Sequence, residues 1–126
     1  MKLEHTINVR IIKGTDTSDL YFGLSNDLAK VIVSDYDKYC SGTIAISADG
    51  TETLSFGDID TVKGILIVVN NDCELTINGS NVPVSLIKHV DVTYPKASFF
   101  MNALISSLSI EASSGALTGF YCAWGN

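Results

Sequence analysis

Residues 63–88, KGILIVVNNDCELTINGSNVPVSLIK, decide the fold class. The run 65–69 is five apolar β-formers, too short for a typical helix and apolar on both faces. A strand of that kind sits in mid-sheet with both faces covered, or at a subunit contact. Asn70-Asn71-Asp72 then supplies turn residues that tolerate left-handed backbone. Cys73, Leu75 and Ile77 alternate with Glu74, Thr76 and Asn78, the period of a half-buried strand. Asn78-Gly79 is a hairpin dipeptide, because a type I′ turn needs positive φ at both central residues. The return runs through Val82, Val84 and Leu86. The stretch predicts three consecutive antiparallel strands joined by two tight turns.

Upstream, residues 39–47 and 51–56 read as a hairpin about Ala48-Asp49-Gly50, with Ile44 and Ile46 on one face. Residues 3–13 alternate, with Leu3, His5, Ile7, Val9 and Ile11 on one side. They predict a long first strand that is free to cross onto a neighbouring copy. Polar turn clusters at 14–19 and at Ser25-Asn26-Asp27 flank a short apolar segment at 20–24. Val31, Ile32 and Val33 favour a strand beginning at Lys30.

Downstream, the strand after Ile87 is expected to run on through residues 88–93, with Val90 and Val92 inward, until Pro95 ends it. Residues 97–103 fit either a helical turn or an apolar strand. Residues 104–112 and 116–124 predict a closing hairpin around Ser113-Ser114-Gly115. About nine or ten short strands, turn signals every eight to twelve residues and no amphipathic helix predict an all-β chain. The expected architecture is one antiparallel, jelly-roll-like β-sandwich domain spanning 1–126, with 1–13 exchangeable.

Eight Lys and Arg against 14 Asp and Glu leave a formal charge of −6. That balance disfavours nucleic acid, which is held largely by cations against its phosphates, and an anionic membrane surface. Charged residues make up 17% of the chain and hydrophobic ones 46%, against roughly 25% charged in an ordinary domain. Low charge points to burial in a partner or oligomer interface, with a Ser/Thr/Asn-rich solvated surface as the plainer alternative. Glu4, His5, Asn8 and Arg10 interrupt the N-terminal stretch where a signal peptide is apolar, so the expectation is a cytoplasmic product without a cleaved leader. No run approaches the ~18 apolar residues of a membrane span.

The chemistry-bearing residues are scattered. His5 and His89 have no carboxylate or cysteine at metal-ligand spacing, and no GxSxG, P-loop or GxGxxG is present. Cys40, Cys73 and Cys122 form no CxxC pair; Cys73 and Cys122 fall at apolar strand positions, so free buried thiols are expected. Asp35 with Asp37, and Asp58 with Asp60, are i, i+2 carboxylate pairs that could face one Ca²⁺, yet neither opens an EF-hand loop. Solvated turn acids are the plainer reading. Asn78-Gly79-Ser80 matches a glycosylation sequon but reads as a turn. Tyr21, Phe22, Tyr36, Tyr39, Tyr121 and Trp124 would form a sugar-stacking platform only if exposed in one plane. No catalytic residue and no cofactor is predicted.

The pattern formed by Val62, Lys63, Ile65, Ile67, Leu75, Thr76, Ile77, Asn78 and Gly79 resembles small β-sandwich structural proteins of tailed bacteriophage virions. That resemblance implies a capsid decoration, head-fibre or tail-associated subunit. It would bind neighbouring virion proteins, commonly as a trimer, after synthesis in the host cytoplasm, and would not be an enzyme. Ile7, Val9 and Ile11 in the first strand, and Ile65, Ile67 and Val69, are the candidate contact residues. The alternative is a carbohydrate-binding or lectin-like β-sandwich, with or without Ca²⁺.

Overall fold

The computed structural model describes residues 2–7, 10–12, 20–23, 30–90, 93 and 95–126, with side chains from Tyr36 onward. The chain divides into two compact units, Met1–Tyr36 and Asp37–Asn126. The first carries β1 (Lys2–Ile7), β2 (Arg10–Ile12), β3 (Leu20–Gly23) and β4 (Lys30–Asp35). β1 pairs antiparallel with β4, and β2 with β3. Residues 3–13 therefore contribute to two strands with different partners rather than to one long strand. Val9, the clusters at 14–19 and 25–27, and the side chains of Ile7 and Ile11 lie outside the described residues.

The second unit is a β-sandwich of β5 (Lys38–Ile46), β6 (Thr51–Thr53), β7 (Val62–Val69), β8 (Cys73–Ile77), β9 (Val84–Leu86), β10 (Ala97–Met101), β11 (Leu108–Ala112) and β12 (Leu117–Gly125). One antiparallel sheet has the order β10-β7-β12-β5 and the other β6-β11-β8-β9. These eight strands stand near the nine or ten expected, and no helix occurs among the described residues. Alternate residues turn inward, as the two-residue strand period requires. Ile44, Ile65, Ile67, Val69 and Leu117 from the first sheet meet Cys73, Leu75, Leu108 and Ile110 from the second in one core. Every connection except β8–β9 crosses between sheets. Two four-stranded sheets wired in this way are a jelly roll.

That wiring corrects three sequence-derived hairpins. The turns at 48–50, 70–72 and 113–115 do reverse the chain, and Asp49 has the expected positive φ of 62°. They do not join paired strands: β5, β7 and β12 lie in one sheet, and β6, β8 and β11 in the other. Turn residues specify a reversal, whereas burial decides whether the flanking strands pair side by side or stack across a core. β7 and β8 each have one fully buried face, Ile65, Ile67 and Val69 against Cys73 and Leu75, so they stack. The three arches bond to one another at one end of the sandwich. Ala112 N donates to Gly50 O (3.0 Å), Ser113 N to Asp72 O (3.4 Å) and Ser114 Oγ to Asn71 Oδ1 (2.9 Å).

The Asn78-Gly79 hairpin forms between β8 and β9, with φ of 53° and 67° and Ser80 N donating to Ile77 O at 3.0 Å. The return strand is shorter than expected. Val82 precedes it and is exposed, Val84 is open at the sheet edge, and only Leu86 is buried. Beyond Leu86 the chain leaves the ladder, because Lys88 N donates to the Asp72 carboxylate (2.6 Å) and His89 N to Lys96 O (3.0 Å). Val90 is accordingly 93% exposed and not inward, and Val92 lies outside the described residues. Residues 97–101 resolve as a strand.

Candidate interaction face

The outward residues of the first sheet are fixed by its register. Trp124 stands opposite Tyr39, Cys122 opposite Ser41 and Leu66, and Phe120 opposite Thr43 and Val68; Phe100 and Ser98 continue the Leu66 and Val68 rows. Directly opposed residues share a face, so the outer side of this sheet carries Tyr39, Ala45, Leu66, Val68, Phe100, Phe120, Cys122 and Trp124, of which Trp124 is buried and Leu66, Val68 and Cys122 are half-buried. Four hydroxyls, from Ser41, Thr43, Ser98 and Thr118, are interspersed, and none of these positions is charged. Tyr39 is 56% exposed, Phe120 49% and Phe100 41%.

The second sheet faces outward in the opposite manner. Its outer positions are Thr51, Thr53, Glu74, Thr76, Ser85, Ser109 and Glu111, with Glu74 directly across from Glu111. Thr53 and Ser109 share a hydrogen bond at 3.0 Å. That is an ordinary solvated face. One sandwich thus has a polar, acidic side and an apolar side whose strand positions carry no charge.

Trp124 anchors the apolar side. Its indole lies over Gly64, where a β-carbon would collide with the ring, and its centroid is 5.8 Å from that of Phe100. The ring is 3% exposed, and its Nε1 is buried without a hydrogen-bond partner. On the inner face, the Tyr121 ring lies over Gly42 and donates its hydroxyl to Ser55 O at 2.6 Å. Both glycines make room for an aromatic ring from the neighbouring strand.

The other sequence-derived candidates fall elsewhere. Ile65, Ile67 and Val69 are fully buried core residues; the outward side of their strand is carried by Leu66 and Val68, because a two-residue period gives each face only alternate side chains. Asp60 pairs with Lys38 at 3.0 Å, and Asp58 offers Lys38 its backbone carbonyl at 2.6 Å rather than its carboxylate. That hydrogen bond to Asp60 holds the Lys38 amine above its usual pKa. Asp37 is exposed, and the Asp35 side chain lies outside the description. Among the described residues no group of three or more His, Cys, Asp or Glu could hold a metal ion. Cys73 is buried, Cys40 and Cys122 are half-buried, and all three thiols are free. An open cleft of about 300 Å³ at the far end is lined by Asp60, Asn78 and Ile105 among others. Comparison with protein-family models, curated proteins and solved structures returns no match.

Proposed function

We propose that the protein is a structural, non-catalytic subunit of a tailed-bacteriophage virion. In this reading it is a decoration or head-tail-associated protein that binds neighbouring subunits through the outer face of β10-β7-β12-β5. The observation that carries the reading is the uncharged surface around Phe100, Phe120 and Tyr39, set against the acidic face of the opposite sheet. An apolar, charge-depleted patch with aromatic anchors has the composition of an interface core. The virion context comes from the strand-and-hairpin resemblance. The test is co-sedimentation of tagged protein with purified tailed-phage particles that lack it. Sedimentation with particles is expected, with loss on Phe120→Lys; protein that stays in the supernatant overturns the reading.

A second reading has one observation of its own. Tyr39, Phe100 and Phe120 are exposed on a single sheet face with four hydroxyls between them, the arrangement that an uncharged glycan would stack on. A glycan array separates the two: binding abolished by Tyr39→Ala would favour the sugar.

A further inference from the structure

The four edges of the sandwich differ in how they are protected. β6 is three residues long with Glu52 at its centre, and β9 is three residues preceded by Pro83. β10 has five residues and is entered through Pro95 and Lys96. Short length, charge and proline are the devices that stop an edge from pairing with another chain. β5 has none of them after Lys38. It is nine residues long, pairs with β12 through all nine without a register break, and carries no further charge and no proline. No strand among the described residues occupies its other edge.

We propose that β5 is a pairing edge whose partner is β5 of a second copy, antiparallel about a two-fold axis. The register that overlaps all nine residues puts Gly42 on the axis. Lys38 then faces Ile46, Tyr39 faces Ala45, and Ser41 faces Thr43 of the second copy. No like charges meet along the seam, although each copy carries −6. Outward residues stay opposite outward residues, so two four-stranded sheets become one of eight strands. Joined across the seam, the two outer faces form one continuous surface of roughly 900 Å² in plan. The inference rests on the assembly reading above and makes a dimer, not the trimer implied by the resemblance, the unit that presents the face.

Light scattering at tens of micromolar should give about twice the 13.5 kDa of the chain. Ser41→Lys with Thr43→Lys opposes cations at both positions and should return the mass to a single chain. Ser41→Asp with Thr43→Lys opposes unlike charges and should restore the dimer. Circular dichroism checks that both variants fold. Independently of any variant, amide exchange across residues 38–46 should slow as protein concentration rises. A wild-type monomer, a trimer, or dissociation in both variants overturns the pairing; the last outcome would place the contact on the outer face. Co-sedimentation with particles is read separately, so loss of the dimer does not decide the virion reading.

Discussion

Asn78 and Ser106 are joined at two atoms: the Asn78 carboxamide oxygen accepts from the Ser106 backbone N–H at 2.7 Å and from its Oγ at 3.0 Å. The same side chain donates through Nδ2 to Leu104 O at 3.2 Å. A residue chosen by the hairpin for its positive φ therefore also clasps the β10–β11 connection. Asn78→Ala should destabilise the fold by about 2–3 kcal/mol, combining left-handed strain with lost hydrogen bonds. Asn78→Asp keeps the acceptor and the backbone preference and should lose about 1 kcal/mol. Urea unfolding of both tests the clasp; equal losses would mean that water replaces it.

Gly79 separates backbone strain from crowding. Its φ is +67°, and a β-carbon there would meet nothing within 4 Å. Gly79→Val should destabilise by roughly 1–3 kcal/mol through conformation alone, and Gly79→Asn by much less. If thermal melting shows the two variants alike, strain at this turn is not the cause.

Trp124 over Gly64 is a steric lock with its own reporter, since the chain has one tryptophan. Gly64→Ala should force the indole from its seat, with a loss of about 1–3 kcal/mol by overpacking. The emission maximum should move to the red as the ring meets water. An unmoved spectrum would place the ring elsewhere.

Burial, with a smaller contribution from Asp72, pushes the Cys73 thiol up to about 11. Cys40, Cys122 and Tyr121 shift in the same direction, also through burial. The unfolded chain gives up its thiol protons near pH 9, whereas the folded chain retains that of Cys73. Stability should thus hold below pH 9 and fall as pH rises towards 11. Melting temperatures across that window should show the decline, and Cys73→Ala should make it shallower.

Strand positions were legible because their signals are local. The alternation of Cys73, Leu75 and Ile77, and the left-handed preference of Asn78-Gly79, need no knowledge of distant residues. Sheet membership was not legible. Asp49-Gly50 and Asn78-Gly79 are similar dipeptides, yet one joins stacked strands and the other paired strands. The difference lies in which strand arrives as the lateral neighbour: β12 beside β5, and β11 beside β6, from some 80 and 60 residues away. The candidate face was half legible. The apolar run 65–69 announced a second face, but Ile65, Ile67 and Val69 proved to be the inner one. Phe100 and Phe120 come from strands far along the chain, and only the register puts them beside Leu66 and Val68 respectively.

The insertion of β12 between β5 and β7 has a consequence for how the molecule comes into being. During synthesis β5 and β7 emerge first, with the central place in their sheet empty, and each holds an unsatisfied row of backbone groups until residues 117–125 leave the ribosome. At ~5–20 residues per second the wait is several seconds, and closing the sheet then requires contacts of long sequence separation, which form slowly. The nascent chain therefore spends its most aggregation-prone interval with β7, its most apolar strand, flanked by a gap.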